Sequence, residues 1–473
     1  MALTVALATT LLTLPLWTSP WNLFDGGIAA ASAGFTVQGL LPYRDYWLLY
    51  GPLSGWLLAI PTALLGPSVE LTRLVGLILL AGQAAIVYQL CRRWTFAFPA
   101  ALLAIVSSLL VAAFYGLETS AWTVSMTFAL LALSLRLDAR RTFLVGLIIG
   151  LASLARLDVG AYALLAALLL PDRRRLLAGF TVVALPIWLL LALLTPLSSM
   201  IEQLLWYPLV GRRQFRGVPG LDTMMPLAVA IGLSVMLAVI PRLAIAIAVI
   251  RGLADHRRDL LAIAVFAALC QLQTDGRVDA AHLAIATTPS LVLIAANLPR
   301  GRRASLFGTG IIAPPLFAAA IAGGMIAVSA PNVRDLSLRQ SIDIVRAATD
   351  ENDAIHVGLA SHRHTPLNAI LAYYLADRPP GSRWTMYNPG LTNTDAPQGS
   401  IAADLESTGT NYLILDVDSA GQFEYTNESR IPGSTILDAY ISARFRTLCD
   451  FGAFIVAVRM ERDPHGPCPV PDG

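Results

Sequence analysis

One aspartate and a set of arginines are the residues of this chain best suited to chemistry. Asp25 directly follows the first long apolar segment and precedes a run of small residues, 26–39, that predicts a helix. Aspartate is a preferred N-cap, so Asp25 could simply begin that helix. A carboxylate at this place could equally act as a general base that takes a proton from a hydroxyl group. Spacing alone does not choose between the two roles.

The arginines are candidates for binding an anion. The chain contains no lysine, so all 33 basic residues are arginine, whose planar guanidinium group suits phosphate oxygens. Some lie beside carboxylates, as Arg44 does beside Asp45, and ion pairing within a loop is the simpler explanation for such pairs. The residues considered for contact with an anionic substrate are Arg44, Asp45, Tyr46, Glu118, Arg156, Asp158, Arg212, Arg213, Arg216, Arg277 and His282.

Each of these residues also has a structural interpretation. Glu118 could cap the following helix, and Arg156 could pair with Asp158. The group 212–216 could be a loop that binds lipid head groups in general, and Arg277 could neutralise nearby aspartates.

The elements that must position these residues are membrane helices. Hydrophobic residues make up 56% of the 473 residues and charged ones 14%, against about 45–50% and 25% in a soluble domain. A span needs about 20 apolar residues, which predicts about eleven transmembrane helices. The first lacks a basic start and a cleavage site, so it is interpreted as an anchor. The predicted spans are 1–19, 70–91, 95–115, 119–137, 142–157, 159–171, 176–195, 226–250, 260–273, 281–298 and 304–330.

Arginine placement fixes the predicted topology. The segment 51–66 is short, contains Pro52 and Pro61, and could be a twelfth span or an interfacial helix. As an interfacial helix it leaves five arginine clusters on one side, which the positive-inside rule makes cytoplasmic. They are Arg92-Arg93, Arg140-Arg141, Arg173–Arg175, Arg257-Arg258 and Arg302-Arg303. The N-terminus is then inside, whereas the loop 20–69 and the C-terminal region are outside.

The predicted domains are a membrane domain, 1–330, and a soluble α/β domain, 331–473. Apolar runs at 354–357, 412–415 and 454–458 predict strands, and they alternate with helical patterns at 337–349, 366–375 and 436–445. Cys449 and Cys468 lie in this region and could form a disulfide if it is extracytoplasmic. Ser361–His364 contains two histidines, for which an exposed loop is favoured over a metal site.

Several fragments together resemble the first periplasmic loop and span ends of GT-C glycosyltransferases, which include protein O-mannosyltransferases and lipid A aminoarabinose transferases. The fragments are Asp25 with its small-residue helix, Leu41–Asp45, Gly51–Leu53, Gly116–Thr119, Leu154–Gly160, and Gly276–Asp279 with His282. The likeness covers 1–330, and the α/β domain is similar to those that follow the last span in many such enzymes.

The resemblance implies a sugar transfer from a polyprenyl-phosphate donor to a cell-envelope glycan, lipid or protein. Asp25 would deprotonate the acceptor hydroxyl, attack would invert the anomeric carbon, and outer-face arginines would hold the lipid phosphate. Many members carry a second acid beside the first. Here Gly26 follows Asp25, which argues against a metal, and no other cofactor is expected. The expected location is the inner membrane.

A transporter or flippase of lipid-linked glycans is the alternative. Transporters usually place ionisable residues near mid-membrane, on broken helices. In the predicted topology they lie at the outer ends of spans, which favours an enzyme. The chain has no Walker-type motif for nucleotide-driven transport, and nothing in it indicates nucleic-acid binding.

Overall fold

The structure is a computed structural model that describes residues 1–137, 141–211, 235–274, 280–299, 301–329, 332–363, 367–388, 390–417, 433–462 and 468. These residues form two compact units. The first contains Met1–Ser19, Arg73–Leu191 and residues 235–329. The second contains Pro20–Thr72, residues 192–211 and the described residues from 332 onward. The boundary predicted at residue 330 stays a prediction.

The described residues are mostly helical. In chain order the helices are α1 (Ala2–Thr13), α2 (Asp25–Val37), α3 (Leu53–Leu65), α4 (Val69–Cys91), α5 (Ala97–Tyr115), α6 (Ala121–Leu137), α7 (Thr142–Ala155), α8 (Leu157–Ala167), α9 (Arg173–Leu194), α10 (Leu197–Ile201), α11 (Ile240–Ala254), α12 (Arg258–Thr274), α13 (Ala280–Asn297), α14 (Arg302–Ser329), α15 (Val333–Ala348), α16 (Leu371–Ala376), α17 (Asp395–Ser407) and α18 (Ile436–Arg444). The strands are β1 (Ile355–Leu359), β2 (Tyr412–Asp416), β3 (Phe445–Asp450) and β4 (Phe454–Arg459).

Long apolar helices confirm the mostly helical, membrane-type architecture that the composition predicts. Among the described residues, six helices are long and apolar enough to cross a membrane: Val69–Cys91, Ala97–Tyr115, Arg173–Leu194, Leu237–Ala254, Ala280–Asn297 and Arg303–Met325. Shorter apolar helices occupy the predicted spans 142–157 and 159–171. The count of eleven spans stays a prediction. The segment 51–66 forms α3, and the predicted small-residue helix is α2.

The first unit is a helical bundle held together by small residues. Helix α5 packs against α13 and α14, and α6 packs against α7. Helices α7 and α9 approach so closely that a Cβ added at Gly146 would lie 2.1 Å from the carbonyl oxygen of Leu176. A Cβ at Gly179 would lie 2.1 Å from the carbonyl oxygen of Phe143. Glycines at such crossings allow close van der Waals packing, which drives helix association in lipid.

The second unit contains a four-stranded sheet in the order β1-β2-β4-β3. Strands β1 and β2 are parallel, whereas β4 pairs antiparallel with β2 and β3. Every residue of β1 and β2 is buried, as in sheets whose two faces are both covered. Helix α15 packs on β4. A disulfide joins Cys449 of β3 to Cys468, with their Cα atoms 5.5 Å apart.

The sequence predicted three of these four strands. Strands β1, β2 and β4 fall on the predicted apolar runs, and α15, α16 and α18 overlap the predicted helices. Strand β3 was not predicted, because half of its residues are exposed without a regular alternation and because it follows α18 without a break. Helix α17 was also not predicted, since Pro397 and Gly399 interrupt its helical pattern.

Candidate active site

Asp25 is the first residue of α2, in the second unit, and it is partly exposed. The residue before the helix, Phe24, provides no side-chain cap. Within the described part of the chain, no hydrogen bond or ion pair of the Asp25 carboxylate is found. The backbone around it is hydrogen-bonded: Gly27 N–H donates to the Asn22 carbonyl at 3.1 Å and Ile28 N–H donates to the Phe24 carbonyl at 2.8 Å. The first turn of α2 is therefore held by backbone hydrogen bonds, and the described residues provide no partner for its carboxylate.

Arg44 and Asp45 form a two-bond pair within the same loop. Arg44 Nε and Nη2 each donate to an Asp45 oxygen at 2.8 Å, and Asp45 also accepts from Leu41 N–H at 2.8 Å. Burial opposes ionisation of Asp45, but these hydrogen bonds outweigh it and hold the pKa of the carboxyl below its ordinary value. Half of the Arg44 side chain is exposed, at 47%. The pair shapes the turn of the loop.

Tyr46 is buried against α2. Its hydroxyl lies 2.9 Å from Ser32 Oγ, and its ring centroid lies 4.9 Å from that of Phe35. Burial raises the pKa of Tyr46 to about 12, so the hydroxyl stays protonated. Tyr43, at φ 67°, makes the left-handed turn of this loop, and its hydroxyl donates to the Tyr50 carbonyl at 2.7 Å. Tyr46 therefore fastens the loop to α2, and Tyr43 holds the loop together internally.

Glu118 of the first unit lies in a buried ion pair. Arg73 Nε and Nη2 donate to its Oε1 at 2.9 and 2.8 Å, and the two side chains are 2–5% exposed. Arg73 also donates to the carbonyls of Trp17 and Ser19. These contacts join the start of α4 to the α5–α6 connection and to the segment after α1.

Arg156 and Asp158 also pair, at the junction of α7 and α8. Arg156 Nη2 donates to Asp158 Oδ2 at 2.7 Å, and its Nε donates to Oδ1 at 3.1 Å. The guanidinium carbon lies 3.9 Å from the centroid of the Trp122 ring, a cation–π distance. Gln273, at the end of α12, donates through Nε2 to Asp158 Oδ2, the oxygen that also accepts from Arg156 Nη2. The arginine is therefore oriented by a carboxylate and an aromatic face.

His282 joins the same cluster from α13. Its ring lies edge-on to Tyr115 and to Trp122, with centroids 6.3 and 6.4 Å away. The structure thus brings three of the predicted residues, Arg156, Asp158 and His282, into one cluster at the ends of six helices, which are α5, α6, α7, α8, α12 and α13. Trp122 and Gln273 belong to it but were not predicted. Both are far along the chain from Arg156, and only the fold brings them together.

Four predicted residues lie outside the described part of the chain: Arg212, Arg213, Arg216 and Arg277.

The prediction that Ser361–His364 is an exposed loop is wrong for His362, which is 1% exposed. Its Nδ1 lies 2.7 Å from Asp438 Oδ1, and its backbone N–H donates to the same oxygen at 2.8 Å. Burial opposes ionisation of Asp438, yet these bonds hold the pKa of its carboxyl below the ordinary value. Asp438 lies 76 residues away along the chain, so no local pattern indicated the pair.

No protein-family model and no curated protein sequence matches the chain. Solved structures do match it. ArnT from Cupriavidus metallidurans bound to undecaprenyl phosphate has a TM-score of 0.59 and 12% identity, over 96% of this chain and 97% of that one. The apo oligosaccharyltransferase of Archaeoglobus fulgidus has a TM-score of 0.54 and 13% identity, over 98% of this chain and 75% of that one. The complex of the archaeal enzyme AglB with an inhibitory peptide and a dolichol-phosphate has a TM-score of 0.54 and 12% identity, with the same coverage.

These likenesses establish a shared fold. ArnT and the oligosaccharyltransferase are GT-C glycosyltransferases, so the GT-C fold that the sequence resemblance implied is confirmed.

Proposed function

We propose that this protein is a membrane glycosyltransferase that moves a sugar from a polyprenyl-phosphate donor to a cell-envelope glycan, lipid or protein. The observation that carries the proposal is the fold shared, over 96% of the chain, with a transferase crystallised with undecaprenyl phosphate. Reaction occurs at the outer face of the inner membrane. The N-terminus is cytoplasmic and residues 331–473 are extracytoplasmic, in keeping with the five arginine clusters in the loops assigned to the cytoplasmic side.

Asp25 is the general base. Its carboxylate takes the proton of an acceptor hydroxyl, and the oxygen attacks the anomeric carbon of the donor sugar. The bond from that carbon to the phosphate oxygen breaks on the opposite side, and the electron pair leaves with the polyprenyl phosphate. The anomeric carbon is therefore inverted. A positioned base contributes roughly 10²–10⁴-fold to such a step. The partly exposed, first-turn position of Asp25 supports this role.

Arginines bind the donor phosphate. A phosphate leaving group needs charge stabilisation rather than a proton, and fixed guanidinium donors provide it. Arg156 is suited to this because Asp158 and Trp122 fix its plane before any ligand arrives. The proposed substrate-contacting set is Arg44, Asp45, Tyr46, Glu118, Arg156, Asp158, Arg212, Arg213, Arg216, Arg277 and His282. No metal or other cofactor takes part in the proposed reaction.

The test is a mass-spectrometric assay of purified protein with a panel of polyprenyl-phosphate sugars and envelope acceptors. The proposal predicts consumption of one donor, release of polyprenyl phosphate and a glycosylated acceptor. In proteoliposomes, a flippase would instead move intact donor between leaflets without releasing phosphate. That result would show that the protein is a transporter and would refute the proposed glycosyltransferase activity.

A further inference from the structure

The helix that begins at Asp25 is held from the C-terminal region of the chain. Leu371, at the start of α16, donates its backbone N–H to the Leu23 carbonyl at 3.1 Å. Leu23 is two residues before Asp25. A backbone hydrogen bond from residue 371 therefore fixes the chain just where α2 starts.

Glycine makes this contact possible. A Cβ added at Gly27 would lie 2.7 Å from Leu371 N and 2.9 Å from Ile370 Cγ2, and the first of these atoms is backbone that cannot rotate away. Two turns along α2, a Cβ at Gly34 would lie 3.4 Å from Tyr374 Cδ2, an ordinary contact. Helices α2 and α16 therefore approach each other most closely at the turn of α2 that contains Asp25.

Aromatic side chains extend the contact into the sheet. The ring of Tyr373 lies edge-on to that of Phe35, with centroids 5.6 Å apart, and its hydroxyl accepts Val357 N–H of β1 at 3.0 Å. The hydroxyl of Tyr374 lies 3.0 Å from Thr62 Oγ1 of α3. Tyr373 and Tyr374 are each 1% exposed. One short helix therefore links β1 to both helices of the first loop.

A second attachment holds the turn after α2. Trp47 N–H donates to the Arg383 carbonyl at 2.8 Å, and the rings of Trp47 and Trp384 stack at 4.8 Å with an interplanar angle of 19°. Both rings are at most 4% exposed. The loop that follows Arg44 and Asp45 is therefore tied to residues 383–384.

We infer that residues 367–388 are the positioning element of the first loop, and that Gly27 is the positioning residue through which they set the place of Asp25. The C-terminal region then acts on the chemical step through Asp25, and is not a separable module for acceptor binding. The catalytic part of this inference rests on the proposed function. The structural part does not, because the contacts hold α2 whatever the reaction is.

The test compares Gly27→Ala with Gly399→Ala. Gly399 lies inside α17 of the same unit, and an added Cβ there meets nothing within 4 Å, so it is a matched helix-interior control. Hydrogen exchange of the amides of 26–37 and steady-state kinetics are measured on the full-length protein in detergent. We expect Gly27→Ala to exchange at least tenfold faster in α2 and to lose at least tenfold in kcat, with KM for donor and acceptor within twofold. Gly34→Ala should have a smaller effect, and Gly399→Ala none.

Three outcomes would overturn the inference. One is unchanged exchange and kcat in Gly27→Ala. Another is a raised acceptor KM with unchanged kcat, which indicates acceptor binding instead. If Gly27→Ala does not fold, Tyr373→Phe serves instead, since it keeps the ring against Phe35 and removes the hydroxyl that accepts Val357 N–H. The third outcome that would overturn the inference is unchanged hydrogen exchange of the α2 amides in Tyr373→Phe. Failure of the wild type to transfer sugar would refute the proposed function. The comparison of hydrogen exchange between Gly27→Ala and Gly399→Ala would still test whether residues 367–388 hold α2 in place.

Discussion

At the scale of single residues, carboxylate partners decide which arginines are held rigidly. Arg73 and Arg156 are each paired through two nitrogens to a carboxylate, and both are largely buried. The sequence predicted the pairing of Arg156 with Asp158, because the two lie two positions apart. It did not predict the pairing of Arg73 with Glu118, 45 residues away, because only the packing of α4 beside the α5–α6 connection brings them together.

Replacing Glu118 by glutamine should destabilise the protein strongly. The change leaves the Arg73 charge buried without its carboxylate, a loss that typically costs about 3–5 kcal/mol. The measurement is thermal unfolding in detergent, with Glu70→Gln as the control, since Glu70 is an exposed carboxylate in the first turn of α4. Equal midpoints for the two variants would contradict this account of the pair.

His356 should make the second unit less stable in mild acid. Burial, and then the neighbouring His362, lower the pKa of His356 to about 3. Between pH 6.5 and 3 the unfolded histidine binds a proton that the folded one does not, so stability falls as pH falls. The slope is at most about 1.4 kcal/mol per pH unit for one proton. Unfolding measured between pH 7 and 5 should be less pH-dependent in His356→Gln, and an equal slope would refute the assignment.

At the scale of elements, strands that consist of continuous apolar runs could be predicted from the sequence, whereas strands and helices of mixed polar and apolar residues could not. Strands β1 and β2 are buried on both faces, so they appear in the sequence as apolar runs. Strand β3 exposes half of its residues and depends on pairing with β4. Helix α17 buries Gln398, Ile401 and Leu405 at helical spacing, and one of the three is polar, which hides the pattern. Tertiary contacts supply what the local sequence lacks.

Bulk at the α7–α9 crossing should separate these two helices. In Gly146→Val the new side chain would collide with the Leu176 carbonyl, because even a Cβ would lie 2.1 Å from that oxygen. Overpacking of this kind costs about 1–3 kcal/mol or more. The control is Gly82→Val in α4, where a Cβ meets nothing within 4 Å. A lower detergent unfolding midpoint is expected only for Gly146→Val, and equal midpoints would show that α7 and α9 do not cross there.

At the scale of the whole molecule, the proposed membrane orientation rests on arginine placement. Composition and span length predicted a polytopic helical protein, and the fold agrees with that. The orientation depends on five arginine clusters that the positive-inside rule assigns to the cytoplasm. The sequence could not show how the loop after the first span is held, because its partners lie more than 300 residues away.

Labelling with a membrane-impermeant maleimide tests the orientation. The variant Glu351→Cys, which places a cysteine at an exposed position of the second unit, should be labelled in intact spheroplasts. The matched variant Arg174→Cys, at an exposed position in the first turn of α9, should be labelled only after lysis. The native cysteines give little background, since Cys91 and Cys270 are buried and the other two form a disulfide. If Arg174→Cys were labelled in intact spheroplasts and Glu351→Cys only after lysis, the opposite topology would be correct.

The most direct test of the central claim is donor turnover by wild type, Asp25→Asn and Asp395→Asn. Asparagine keeps the size of aspartate and removes its basicity. Asp395 is likewise the first residue of a helix in the second unit, so its variant controls for loss of a first-turn carboxylate. We predict that Asp25→Asn folds and loses about 10²–10⁴-fold in kcat, whereas Asp395→Asn transfers sugar like wild type. Unchanged turnover in Asp25→Asn would contradict the role of Asp25 as the base.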